Sequence, residues 1–170
     1  DEIDDVRSRA RREARAAARM TSSHVVGVYD VIEEPDTVWL VMELVRAPSL
    51  EAVVRERGPL PAALAARIGL GVVDALVAAH AVGVLHRDVK PANVLVSPDD
   101  DGVVKLADFG VAALRDESGL TLPGLVVGSP SYMAPEQAAG GPIGPAADLW
   151  ALGALLYFAV EGVPPFSAGS

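Results

Sequence analysis

The chain has no cysteine, which rules out disulfides and thiolate metal sites and leaves the redox compartment open. It has only two lysines, Lys90 and Lys105, among its 14 basic residues, and both fall in the second half. A single glycine, Gly27, precedes Gly58. The first third of the chain therefore holds no glycine-rich loop whose backbone N–H groups approach phosphates closely. Positive charge is scarce too: with 23 acidic residues the formal net charge is −9, which argues against a nucleic-acid-binding surface. No stretch reads as a signal peptide, since the chain opens with Asp1, Glu2, Asp4 and Asp5. The most apolar run, residues 68–85, is broken by Asp74 and His80. Its length would allow a membrane span, but a buried helix is the better reading, because the run leads straight into a polar motif.

What is present fits one domain with a real core. Residues 5–19 carry Arg7, Arg9, Arg11, Arg12, Arg15 and Arg19 among alanines, a pattern of high helix propensity and a solvated basic face. Residues 25–32 and 37–43 are short β-branched runs separated by Glu33-Glu34-Pro35-Asp36, a hairpin signature. A short helix is expected over residues 49–57. Gly58-Pro59-Leu60-Pro61 breaks the chain before a long apolar helix over residues 62–82. Two short strands, 94–96 and 103–106, flank a turn at 97–102, and a further helix is expected over 146–161. No internal repeat interrupts this order.

Three motifs carry the chemistry. His86-Arg87-Asp88-Val89-Lys90-Pro91-Ala92-Asn93 is followed by Asp108-Phe109-Gly110. Gly128-Ser129-Pro130-Ser131-Tyr132-Met133-Ala134-Pro135-Glu136 comes third. Taken singly, Asp88 is a loop or cap residue and Asn93 a turn residue. Jointly, in this order and spacing, they resemble the catalytic loop, metal-binding turn and end of the activation segment of a eukaryotic-type serine/threonine protein kinase, and most closely the bacterial signalling subgroup.

That resemblance implies roles, residue by residue. Asp88 matches the aspartate that takes the proton of a substrate hydroxyl, and Lys90 the cation that neutralises the γ-phosphate as charge moves. A lysine at position 90 resembles serine/threonine rather than tyrosine kinases. Asn93 and Asp108 match the oxygen ligands of Mg²⁺. Met42-Glu43-Leu44-Val45 resembles the hinge between lobes. There the backbone of Glu43 and Val45 would bond the adenine edge of ATP, Met42 would stand behind it as gatekeeper, and Leu95 would pack beneath the ring. By the residues alone, 38–45 reads equally well as an exposed strand.

The regulatory and structural matches follow in the same way. Glu13 resembles the glutamate of the αC helix, although no lysine precedes it as partner. Arg87 resembles a clamp for a phosphate on the activation segment, with Thr121 as the main phosphosite and Ser118 as the alternative. Ser129 stands where the family usually has a threonine that reads the substrate hydroxyl. His86 and Phe109 resemble members of a hydrophobic stack. Glu136 resembles the residue that pairs with an arginine in a later helix, and Asp148 the buried aspartate that holds the catalytic-loop backbone.

The fold class expected is α+β, a two-lobed protein kinase-like fold in truncated form. Residues 1–45 would be a remnant N-lobe and hinge, and residues 46–170 the C-lobe core without its terminal helices. A whole domain of this family resembles one of roughly 250 residues or more. The implied reaction is transfer of the γ-phosphate of Mg-ATP to serine or threonine hydroxyls of protein substrates. It implies a cytoplasmic location, with no nucleic acid partner and no membrane contact from this segment, although such parents often carry a membrane anchor elsewhere. The chain by itself is expected to be inactive or nearly so, and poorly soluble. The alternative is a non-catalytic kinase-like scaffold.

Overall fold

The computed structural model describes residues 20–34, 37–97, 103–109 and 130–166. Glu13, Ser118, Thr121 and Ser129, with the expected arginine-bearing helix, lie outside the described residues.

The two β-branched runs form an antiparallel pair, β1 (Val28–Glu34) and β2 (Thr37–Met42), in register from Val28 opposite Met42 to Glu34 opposite Thr37, with an irregularity between Val28 and Asp30. The first strand begins three residues later than expected. The reason is that Val25 and Val26 are recruited elsewhere. Val25 forms a parallel bridge with Leu106, and Val26 N–H donates to Leu106 O at 3.0 Å. Leu106 N–H donates back to His24 O at 2.8 Å. Both valines are buried, so an open strand edge and an apolar floor outcompete extension of the hairpin.

Helix α1 (Leu50–Arg57) starts where Ser49 Oγ accepts the Ala52 N–H at 3.2 Å, which satisfies one of the orphan amides of its first turn. It stops at Gly58, whose φ of 80° lies in the left-handed region. Helix α2 (Ala62–Ala81) buries Ala65, Ile68, Val72, Ala75, Leu76 and Ala79, a stripe with helical spacing. Leu70 and Val77 on its other side are exposed, so the helix expected to be buried is buried along one face. In length and composition α2 would suffice to cross a membrane, but its buried face is covered by protein.

The covering elements are the second strand pair and the last helix. Strands β3 (Val94–Val96) and β4 (Val104–Leu106) pair antiparallel, and a 3₁₀ turn at Pro91–Asn93 leads into β3. Another 3₁₀ turn at Pro130–Tyr132 precedes the single-turn helix α3 (Pro135–Ala138). Helix α4 (Pro145–Glu161) lays Ala151, Leu152, Leu155, Phe158 and Ala159 against α2. The core formed by α1, α2, α4 and the β3–β4 pair is the platform that carries residues 84–93.

Candidate active site

The loop between α2 and β3 is held by a buried carboxylate. Asp148, in the first turn of α4, is 1% exposed. Its Oδ2 accepts the His86 N–H at 3.0 Å, and its Oδ1 the Arg87 N–H at 2.8 Å. His80 Nε2, from the end of α2, lies 2.7 Å from Oδ2 as a third partner. A charge this deep is tolerable only with such donors, and the sequence motif alone did not disclose His80.

His86 is fully buried. Its Nδ1 accepts the Asp88 N–H at 3.2 Å, so its Nε2, 2.8 Å from Ala107 O, carries the hydrogen and donates. The ring is therefore the neutral Nε2–H tautomer. Burial pushes its pKa below the ordinary value of 6.5, against opposing contributions from the Ala107 carbonyl and the carboxylates of Asp148, Asp88 and Asp108. Phe109 packs edge-on against it, with ring centroids 4.6 Å apart at 67°. His86 and Phe109 are thus in contact, while the αC helix that the expected stack would reach lies outside the described residues. That contact links the 86–93 loop to the segment at Asp108 and Phe109.

The proposed reacting groups converge. Lys90 Nζ donates to Asp88 Oδ2 at 2.6 Å. Asn93 Nδ2 donates to Asp88 O at 2.9 Å and reaches Asp88 Oδ2 at 3.4 Å, which leaves its Oδ1 for another partner. Ala107 N–H donates to Asn93 O at 2.8 Å and so sets Asp108 beside Asn93. Arg87 and Asp108 are the two non-glycine residues with positive φ, both 65°, among the described residues. Backbone in that region costs of order 1 kcal/mol or more and persists only when its surroundings over-determine it. Here those surroundings are the Asp148 anchor and the bond to Asn93.

The donor set suits the metal that the motifs imply. No group of three or more His, Cys, Asp or Glu capable of holding a metal occurs among the described residues. An Asn and an Asp alone suit Mg²⁺, which keeps several waters and takes its other oxygens from phosphates.

A second wall of the site comes from residues 130–137. Gln137 Nε2 donates to Arg87 O at 3.1 Å while its Oε1 accepts the Ala134 N–H at 3.0 Å. One side chain thus pins α3 to the 86–93 loop, and nothing in the motif spacing singled it out. Between them opens a small cleft lined by Arg87, Asp88, Val89, Tyr132, Met133, Gln137 and Ala151. Burial, and secondarily the charge of Glu51, pushes the Tyr132 hydroxyl up to about 12, and its ring meets Phe158 edge-on. Glu136 is half-buried, and its carbonyl accepts the Gly141 N–H at 2.8 Å.

At residues 42–45, the expected hinge, Met42 ends β2 and Glu43 N–H donates to Gly27 O at 2.8 Å, so the Glu43 amide is committed to the strand pair. The Glu43 carbonyl and the Val45 amide are the groups an adenine edge would need. Leu95 is half-buried on β3 opposite Lys105.

The chain matches the family model for the protein kinase domain over residues 1–170. It is 44% identical over 167 residues to the serine/threonine-protein kinase PkaA of Streptomyces coelicolor, covering 98% of this chain and 31% of that protein. With the serine/threonine-protein kinase PknL of Mycobacterium tuberculosis it shares 40% identity over 163 residues, 96% of this chain and 40% of that one. A crystal structure of Rad53 residues 1–466 in complex with AMP-PNP matches with a TM-score of 0.75 at 27% identity, covering 95% of this chain and 40% of that chain. The chain belongs to the protein kinase family, and its fold is the protein kinase fold. It spans less than half the length of these curated relatives.

Proposed function

We propose that the protein carrying this chain transfers the γ-phosphate of Mg-ATP to serine or threonine hydroxyls of protein substrates. The observation that carries the reading is the hydrogen-bonded cluster of Asp88, Lys90 and Asn93 beside the Asp108 turn. In the proposed step a substrate oxygen bonds to the γ-phosphorus while the bond from that phosphorus to the bridging β–γ oxygen breaks. The hydroxyl proton goes to the Asp88 carboxylate. Lys90, 2.6 Å from Asp88, offsets negative charge on the transferred group. Asn93 and Asp108 would hold Mg²⁺, which neutralises phosphate charge when bound. The backbone of Glu43 and Val45 would bond the adenine edge, with Met42 behind it and Leu95 beneath.

The names of PkaA and PknL support serine and threonine as acceptors, and the AMP-PNP held by Rad53 supports an adenine nucleotide. Protein substrates would approach through the cleft between Asp88 and Tyr132. Phosphate on Thr121, or on Ser118, would engage Arg87. Dependence on Mg-ATP supports a cytoplasmic location for the reaction.

The test is transfer of labelled γ-phosphate from Mg-ATP to casein by the protein and by its Asp88→Asn variant. Loss of about a hundredfold or more in the variant is expected from removal of the proton acceptor. Equal transfer by both would overturn the assignment.

A further inference from the structure

Lys105 takes no part in the chemistry described so far. It lies on β4, three residues before Asp108, and its ammonium leaves its own strand. Lys105 Nζ donates to Glu43 Oε2 at 2.9 Å and to Val25 O at 3.3 Å. The same Glu43 oxygen accepts the Gly27 N–H at 3.1 Å. Three stretches of chain therefore meet at one carboxylate: residues 25–27, the hinge and β4. The side chains of Lys105 and Glu43 are 20% and 28% exposed, so water competes for the pair only in part. The hydrogen bond from Lys105, and then that from Gly27, hold the Glu43 carboxyl below its ordinary range.

We propose that Lys105 is a positioning residue for the nucleotide, fixing through Glu43 the separation between the hinge backbone and the Asp108 turn. This deepens the kinase reading and rests on it. A nucleotide presents its base at one end and its phosphates at the other, so a site must hold two distant anchor points at a set spacing. Here the anchor for the base is the backbone of the residue whose carboxylate Lys105 grips. The anchor for the phosphates follows Lys105 by three residues, two beyond the end of the paired strand. Without the ammonium, Glu43 keeps the Gly27 amide alone and residues 25–27 lose one tie to β4. The site would then be ordered at the moment of binding, which weakens affinity and leaves the chemical step alone.

The experiment compares the full-length protein that carries this chain with its Lys105→Met and Lys105→Arg variants. It measures Mg-ADP affinity by calorimetry, amide exchange of Gly27 and Glu43 without nucleotide, and, in the active protein, KM for ATP against kcat. The methionine variant should bind Mg-ADP about five- to tenfold more weakly and raise KM to match, with kcat within about twofold. Its Gly27 amide should exchange about tenfold faster, and arginine should restore all three readouts. A methionine variant that binds as tightly as wild type, with or without faster exchange, overturns the inference and leaves the kinase reading standing. A wild type with no affinity for Mg-ADP overturns both. Should the methionine variant not fold, Lys105→Gln, which removes the charge but keeps a polar side chain, decides between the same outcomes.

Discussion

Asp148 and Glu43 do similar jobs in opposite surroundings. Each carboxylate gathers a side chain from a distant element and at least one backbone amide. Asp148 gathers His80 with the amides of His86 and Arg87, and Glu43 gathers Lys105 with the amide of Gly27. Asp148 is 1% exposed, while the Glu43 side chain keeps 28% of its surface in water. In the dry site every donor depends on the one acceptor, because no water can replace it. In the wet site water can partly stand in, so the pair contributes geometry more than stability. The 86–93 loop is thus anchored by something the fold cannot lose, and the segment at Glu43 by something it can adjust.

The sharpest way to break this comparison is to remove the dry anchor. Asp148→Ala leaves two buried amides and His80 without their acceptor, and should cost about 3–5 kcal/mol in denaturant unfolding. Asp148→Asn keeps one carbonyl oxygen and should cost about 1–3 kcal/mol. Lys105→Met should stay under about 1 kcal/mol in the same assay. Equal losses for Asp148→Ala and Lys105→Met would mean that burial does not separate the two hubs.

A second, smaller effect probes the floor beneath the wet hub. Gly71, on α2, lets β4 approach so closely that an added Cβ would lie 2.7 Å from Val104 Cγ1 and 3.0 Å from His24 Nδ1. His24 Nδ1 in turn lies 2.7 Å from Val104 O, so the same squeeze disturbs the segment docked on β4. Alanine would gain about 1 kcal/mol of helix propensity. The clash costs more, about 1–3 kcal/mol, because Val104 is β-branched and held in a paired strand. Gly71→Ala should therefore be less stable by about 1 kcal/mol on balance. A stabilised variant would show that β4 can retreat.

Much of this architecture was legible in the chain. The apolar run before residue 86, the Gly58-Pro59-Leu60-Pro61 break and the turn residues placed the helices at 49–57, 62–82 and 146–161 and the strands to within a few residues, since those signals are local. The cluster of Asp88, Lys90 and Asn93 was legible because all three lie on one short loop. The ties between elements were not. His80 and Asp148 are 68 residues apart, Gln137 and Arg87 50, and Lys105 and Glu43 62. No periodicity or motif marks such pairs, because their partners are set by packing. The misplaced start of β1 has the same origin: Val25 and Val26 read as strand, and are strand-like, but pair with a sheet edge some eighty residues away.

A last effect, read as a slope, tests the dry hub from inside. His86 is buried neutral, with its pKa below the ordinary 6.5 that it regains on unfolding. Below that pH the unfolded chain binds a proton which the folded ring refuses. The His86 contribution is thus fully present above 6.5 and is lost as pH falls towards the depressed folded value. Across that window stability should fall by up to about 1.4 kcal/mol per pH unit on account of this one group. His86→Phe keeps an aromatic ring against Phe109 but cannot titrate. It also strands the Asp88 amide and the Ala107 carbonyl, so it should be less stable at neutral pH and show a flatter decline below it. Unfolding curves for the two proteins through the window measure the difference in slope. Parallel slopes would mean that the folded protein admits the proton, and that the anchor around Asp148 is wetter than its exposure implies.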